Sequence, residues 1–361
     1  MGKAKIKPSI HRIKPYSPGV STHDTGTPLV KMSSNENPYG PSPQAVEAVK
    51  RGSDSINLYP DKEARRLRES LSQLLGIPRE AIWVGNGSDD VLQNLAKLYL
   101  SEGDNLVTHS PFSTYNTVAA SMGAERKLVR MPPDAGIDVE ALERACDDRT
   151  RIVVVCTPNN PTGAILEPGS MQDILGFTEA HGICLVVDEA YADFSDRYES
   201  PIRMLVEDDL DVVVTRTFSK AYGLAGLRIG FGVARPEVVR YLDLVGMPFN
   251  ASSIAQEAAI AAIRDTDHLN LILERIKRDR EALANRLSGL GLQPLPSEAN
   301  FIMASVARSG MNASEFTARL LENGYAIRDC TSFGFPDHVR ITVGTPEMNA
   351  GLLDAIRSIV G

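Results

Sequence analysis

Cysteine is scarce in this chain: among 361 residues there are only Cys146, Cys156, Cys184 and Cys330. None forms a C-x-x-C pair or stands at a zinc-type spacing from a histidine. A disulfide scaffold and a structural metal site are therefore not expected, and the thiols read as reduced and mostly buried, as in a cytosol. Long apolar runs are missing too, with none near the roughly 18 residues that a membrane-spanning helix needs. The opening "MGKAKIKPSIHRIKPYSPG" carries basic residues but no apolar core, so it does not read as a secretory signal. Gly2 invites a myristoyl reading, but position 6 is isoleucine where that signal has serine or threonine. Basic surplus is also lacking. The net charge is −8, which argues against nucleic acid as a partner.

What is present is the composition of an ordinary globular protein, 43% hydrophobic and 23% charged, in a chain too long for one ordinary core. From about residue 62 helical and strand-like segments alternate. "EARRLRESLSQLLG" is amphipathic and closes on Gly76, "AIWVG" is a short apolar run, and "SDDVLQNLAKLYL" opens on Ser88, expected to cap a helix. "NLVTH", "RIVVVC", "ICLVVD" and "DVVVTR" continue the pattern as apolar runs without alternation, as expected for strands covered on both faces. The fold class is α/β, a mostly parallel sheet flanked by helices. Beyond residue 250 come two long helices, then "NFIMA", a helix near 312–323, "HVRITV" and a last helix, the texture of a smaller α+β unit. The expected division is a large domain over 31–249 and a small one from 1–30 and 250–361.

Four constellations lie at predicted strand ends. In "TRTFSKAYGLAGLRIGF" one lysine, Lys220, sits among apolar residues and glycines, with Arg228 eight positions on. An amine that attacks a carbonyl must be neutral, and burial or nearby positive charge lowers its pKa from about 10.4. Arg228 supplies such charge and a bidentate anion site, and Thr217 and Ser219 add hydroxyls. In "LVVDEAYADF" Asp188 ends a buried strand, where a carboxylate needs a cationic partner, and Tyr191 follows with a phenol. "CTPNNPTG" brings paired asparagines to another strand end. "VGNGSDDVL" is a glycine turn opening a helix, a place that favours an anion, though it fits neither a dinucleotide fingerprint nor a Walker loop. Each alone also reads as a solvated loop, a tight turn or a plain helix cap. Together they supply an amine, a buried acid, a phenol, an amide and two sets of anion donors.

With these residues in place the chain resembles the fold-type-I pyridoxal-phosphate (PLP) aminotransferases, and among them most closely the histidinol-phosphate aminotransferases. "MSSNENPYGPSP", "LYPD", "GNGSDDVL", "PNNPTG", "VVDEAYADF", "TFSKAYGLAGLRIGF", "NFIMA" and "VRITVGTPE" run in family order over nearly the whole length. The resemblance implies that Lys220 holds PLP as an aldimine and then moves the substrate's proton, and that Asp188 pairs with the ring nitrogen. It implies that Asn160 and Tyr191 bond the ring's oxygen and that Phe112 stacks on the ring. The phosphate would be held by Gly87, Ser88, Thr217, Ser219 and Arg228, with Tyr59 reaching it from the second subunit of a homodimer. For substrate it implies Arg340, Arg328, Tyr16 and Asn37. One departure is Phe249 in "GMPFNASS", where relatives often carry tyrosine.

The activity so implied is amino transfer from histidinol phosphate to 2-oxoglutarate, a cytoplasmic step of histidine biosynthesis, with no metal, nucleic acid or membrane involved. Three other readings stand beside it: an aromatic amino-acid aminotransferase, a PLP-dependent decarboxylase of phospho-amino acids, and a non-catalytic PLP-fold binding or regulatory protein. The intact lysine–aspartate–tyrosine set argues against the last.

Overall fold

The structure is a computed structural model that describes residues 5–13, 15, 29–132, 134 and 136–360. A two-residue strand β1 (Val30–Lys31) comes first. Seven strands then build the large sheet: β2 (Ile82–Gly85), β3 (Asn105–Thr108), β4 (Glu125–Leu128), β5 (Thr150–Cys156), β6 (Cys184–Asp188), β7 (Val212–Thr217) and β8 (Gly230–Val233). Their order across the sheet is β2-β8-β7-β6-β5-β3-β4. All neighbours are parallel except β8, which runs antiparallel to both β2 and β7, so β2 still points the same way as β7.

The unalternating valine runs are explained by cover on both faces. Val153 and Val155, Leu185 and Val187, and Val212 and Val214 point into one core. Ile152 and Val154, Cys184 and Val186, and Val213 point into another. Successive side chains on a strand face opposite ways, so a strand buried twice must be apolar throughout. Each such valine removed from water contributes about 1.5–3 kcal/mol.

The smaller region holds β9 (Gln293–Pro294), β10 (Phe301–Ser305), β11 (Tyr325–Ala326), β12 (Arg328–Asp329) and β13 (His338–Thr342). Four of these form an antiparallel sheet in the order β12-β13-β10-β9, and β11 pairs in parallel with β1. Thus Val30–Lys31 joins this region by hydrogen bonds. Its core gathers Ile302, Phe316, Leu320, Ile341, Leu352 and Ile356. The helix Ser253–Arg264, past residue 249, contributes Ala255, Ala258, Ala259 and Ile260 to the core of the large sheet. Thr266–Gly289 is one helix of 24 residues, with Ile272, Ile276, Leu283 and Leu287 on its buried side. Among the described residues no helix is long and apolar enough to cross a membrane, and no cluster of metal-ligating side chains is found.

The helix after β2 departs from the sequence expectation at one point. Its N-cap is Gly87, at φ +80, and Ser88 is the first helical residue with no capping bond from its side chain. A left-handed φ favours glycine, so the turn itself, rather than a serine hydroxyl, starts the helix Ser88–Tyr99.

Candidate active site

Because β2, β3, β5, β6 and β7 all point one way, the loops after them meet at one edge of the sheet, where open α/β sheets hold ligands. Cys156 is level with Asp188, and Asp188 with Thr215, across neighbouring strands. The cavity at this edge is lined by Ser88, Phe112, Asn160, Asp188, Tyr191, Thr217, Ser219, Lys220 and Arg228 from the large sheet, and by Arg328 and Arg340 from the small one. Three stretches far apart in sequence, 86–89, 156–160 and 188–191, thus converge with the lysine loop.

Asp188 is 4% exposed. Its Oδ2 accepts from the Tyr115 hydroxyl at 2.6 Å, and its Oδ1 from Thr215 Oγ1 and the Ala190 N–H, both at 3.2 Å. Burial raises its pKa, and the Tyr115 bond opposes that rise. Among the described residues its hydrogen-bond partners are all neutral. Tyr115 is itself fully buried and stands edge-on to Phe112, with ring centroids 5.7 Å apart. The helix Ser113–Ser121 therefore carries the phenol behind the acid, with the cavity aromatic at its N-cap.

Lys220 is half-buried, and its Nζ donates to the Ser34 carbonyl at 3.1 Å. Burial first, and then Arg340, pull the amine down to about 8. Nζ lies 5.7 Å from the centroid of the Tyr191 ring. The Tyr191 hydroxyl accepts from Asn35 Nδ2 at 2.9 Å, and its ring packs edge-on against Phe301. Burial pushes this phenol up to about 12, which keeps it protonated and able to donate.

At the other end stands an anion cradle. Thr217 Oγ1 and Ser219 Oγ are 2.9 Å apart, and Arg228 Nη1 donates to Ser219 Oγ at 3.3 Å. Arg228 Nη2 lies 3.4 Å from Asp89 Oδ2. Its backbone sits at φ +50, a left-handed value uncommon for arginine and of the kind that gathers at functional sites. A Cβ on Gly87 would come within 3.0 Å of Arg228 Nη2, and one on Gly230 within 2.6 Å of the Ser88 nitrogen. Only glycine leaves this space open.

The small sheet supplies the arginines. Arg328 and Arg340 are register partners on β12 and β13. Arg340 is 5% exposed, donates through Nη2 to the Ser33 carbonyl at 2.8 Å and through Nη1 to Asn160 Oδ1, and lies over the Phe301 ring. Arg328 lies over the Phe333 ring at 5.0 Å.

Two expected residues do not line this cavity, and for Tyr59, whose expected role lies across a dimer, that is no departure. Tyr59 is 83% exposed, stacks on Phe249 at 4.6 Å, and does not line the cavity of its own chain. Asn37 donates to the Ala221 carbonyl and accepts from the Tyr39 N–H, one step outside the cavity. Tyr16 lies outside the described residues. Sequence reasoning missed Tyr115 and Asn35. For Asn35 the signal was the strand-end string "MSSNEN"; for Tyr115, only its place three residues after Phe112.

This chemistry fits pyridoxal phosphate. A carboxylate buried among neutral donors calls for a cation such as a protonated pyridine nitrogen. The hydroxyls, glycine turn and Arg228 call for a phosphate, and a depressed amine lines the same cavity. Sheet, small domain and amine–acid pair together define a fold-type-I pyridoxal-phosphate-dependent aminotransferase.

The chain belongs to the family of class I and II aminotransferases, which it matches over residues 27–356. A histidinol-phosphate aminotransferase of Symbiobacterium thermophilum is 39% identical over 368 residues, covering 99% of each chain. The crystal structure of histidinol-phosphate aminotransferase from Sinorhizobium meliloti in complex with pyridoxal-5'-phosphate is similar with a TM-score of 0.90 at 27% identity, over 99% of this chain and 98% of that one. Aspartate aminotransferase of Thermus thermophilus with maleate shares the fold alone, with a TM-score of 0.85 at 24% identity over 99% of this chain and all of that one.

Proposed function

We propose that this chain transfers the amino group of histidinol phosphate to 2-oxoglutarate, a step of histidine biosynthesis. The observation that carries the reading is the pair of arginines side by side on β12 and β13, both facing the cavity that holds Lys220. Two guanidinium forks suit a phosphate dianion, and either one suits the carboxylate of 2-oxoglutarate or glutamate in the second half of the reaction. The full-length likeness to histidinol-phosphate aminotransferases supports the same donor.

In this reading Asp188 pairs with the cofactor's ring nitrogen, Asn160 and Tyr191 with its ring oxygen, and Phe112 packs on its face. Gly87, Ser88, Thr217, Ser219 and Arg228 hold its phosphate. When bound, pyridoxal phosphate supplies an aldehyde for amine exchange and an electron-withdrawing ring. Lys220 Nζ holds the cofactor and then moves the proton at the donor's α-carbon, which it can do only when neutral. A pKa of about 8 leaves a useful neutral fraction near physiological pH. Tyr191 keeps its proton and donates it.

The reading includes a homodimer in which Tyr59 reaches the second subunit's phosphate cradle. Ile56, Leu58 and Tyr59 in one stretch and Leu244 and Met247 in another stand more than half exposed, and the stacking of Tyr59 on Phe249 brings the two stretches together, a surface that supports such an interface. It also places the enzyme in the cytoplasm, where its four free cysteines stay reduced.

The test is amine exchange on the loaded enzyme, with histidinol phosphate, phenylalanine and tyrosine added separately and the cofactor's visible absorbance followed. Histidinol phosphate should react fastest, with glutamate formed on adding 2-oxoglutarate. A faster response to an aromatic amino acid transfers the assignment to the aromatic reading, and carbon dioxide in place of glutamate transfers it to the decarboxylase. Borohydride should fix the cofactor on Lys220, and capture of cofactor by the unloaded chain should rise about tenfold between pH 7 and 9 as the amine loses its proton through about 8. A midpoint near 10 would refute the lysine's burial as the cause.

A further inference from the structure

The tetrapeptide Ser33–Glu36 touches three site side chains with three consecutive residues. The Ser33 carbonyl accepts from Arg340, the Ser34 carbonyl from Lys220, and Asn35 Nδ2 donates to the Tyr191 hydroxyl at 2.9 Å. Asn35 is 1% exposed and sits at φ +56. Among non-glycine residues asparagine tolerates that left-handed backbone best. Its polar groups are all engaged. The backbone N–H donates to Thr342 Oγ1 at 2.9 Å, the side-chain oxygen accepts from that same hydroxyl at 3.2 Å, and the carbonyl accepts from Asn300 Nδ2 at 3.0 Å.

Thr342 lies two residues beyond Arg340 on β13, so both side chains leave the same face of that strand. Asn35 therefore joins the large sheet's phenol to the small sheet's arginine strand. Its direction of donation matters as much as its position. A hydroxyl that accepts from an amide N–H has its own proton free for another acceptor. With Nδ2 pointing at Tyr191, the phenol proton is directed away from Asn35.

We propose that Asn35 is a positioning residue: it sets Tyr191 as a hydrogen-bond donor toward the cavity and, through Thr342, fixes that phenol relative to Arg340. The proposal rests on the functional reading above, in which Tyr191 faces the cofactor's ring oxygen. The backbone strain at Asn35 is held because both partners hold it. Charged and titratable groups around Tyr191 and Lys220 are Arg340, Arg228, Glu36, Asp89, Asp188 and Cys156; Asn35→Ala adds none to this set, and Asn35→Asp adds one carboxylate.

The sharp variant is Asn35→Asp, which keeps size and tolerance of the left-handed backbone but replaces the donor with an acceptor and adds a negative charge, so its shift counts for the proposal only if Tyr191→Phe abolishes it. The phenol proton would then turn toward position 35. Two quantities are read on the loaded enzyme: the pH midpoint of its visible absorbance, and kcat against KM for the donor. We expect the midpoint to move by about half a unit or more, and kcat to fall about tenfold or more with KM changed less. An unmoved midpoint with kcat within twofold of the parent overturns the proposal.

Should Asn35→Asp fail to fold, Asn35→Ala combined with Tyr191→Phe answers the same question through a double-mutant cycle on the midpoint. Asn35→Ala should shift it in the parent and leave it unmoved in the Tyr191→Phe background. Equal shifts in both backgrounds overturn the role through Tyr191. A shift from Tyr191→Phe with none from either Asn35 variant removes Asn35 alone. No shift from Tyr191→Phe itself removes the Tyr191 reading and this proposal with it.

Discussion

At the Asp188 end of the cavity a carboxylate at 4% exposure accepts from three donors of its own chain, whereas at the Arg228 end the guanidinium is 47% exposed and shares its charge with a half-exposed Asp89. The first end is finished within one chain: Tyr115, Thr215 and the Ala190 N–H approach from a helix, a strand and a loop. The second is an open cradle of hydroxyls, a glycine turn and one arginine, which Tyr59 of the same chain does not line. In the proposed reading the contrast follows the demands of two tasks. Holding a ring nitrogen charged requires low dielectric and fixed dipoles, because a fixed carboxylate is worth far more away from water. Holding a phosphate requires only converging donors, which still act when partly wet.

If that contrast is right, damage at the buried end should be large and damage at the open end small. Asp188→Ala should have the greatest effect, a loss of about 3 kcal/mol or more of transition-state stabilisation, roughly a hundredfold in kcat. Single-turnover amine exchange measures it directly. A near-parental rate would refute the buried end as the site of charge tuning. Next comes Tyr115→Phe, which removes one of the three donors to Asp188 and the hydroxyl's contact with the buried Cys156 thiol, while the ring and its contact with Phe112 are kept. A charge-assisted bond of this kind contributes about 1.5–3 kcal/mol, so kcat should fall about tenfold or more. Its loss also raises the Asp188 pKa, because the Tyr115 bond is what opposes burial. A folded-state pKa raised further above that of the unfolded chain makes the ionised form costlier. The protein with its cofactor removed should therefore lose stability, relative to the parent, as pH rises through the range where Asp188 ionises. Thermal melting of the parent and Tyr115→Phe across pH 4–8 tests that sign, and parallel curves would contradict it.

Much of the site was legible because its members lie in short strings directly after strands. Lys220, Asp188, Tyr191, Asn160 and Arg228 each follow an apolar run or a glycine turn, and such local signals survive without a structure. Tyr115 and Asn35 did not show themselves, since their importance lies in partners 73 and 156 positions away. The sheet was readable for the same local reason, except β4 and β8. β4 reads "ERKL", a charged, half-exposed edge strand with no apolar pattern. β8 contains Gly230 and Gly232, which weaken strand propensity, yet a Cβ at either would meet Ser88 or Val91 within 3 Å. The glycines that hide the strand are what allow the helix after β2 to pack against it. Tyr59 raises a different difficulty: the partner expected of it belongs to another chain.

The smallest predicted effect belongs to the open end and sharpens the comparison from its weaker side. Arg228→Gln removes a charge that is half in water, so its share of phosphate binding is screened. We expect about 1 kcal/mol, some fivefold in the dissociation constant of pyridoxal phosphate, with kcat at saturating cofactor close to the parent's. The parent's affinity should fall as salt is raised from 0.05 to about 0.5 M, and the variant's should fall less, because one of the screened charges is already gone. Equilibrium titration of the unloaded chain with cofactor at two salt concentrations gives both numbers. A loss as large as that of Asp188→Ala, insensitive to salt, would mean that the Arg228 end is closed and dry when the protein is assembled. The difference between the two ends would then be a property of the single chain and not of the working enzyme.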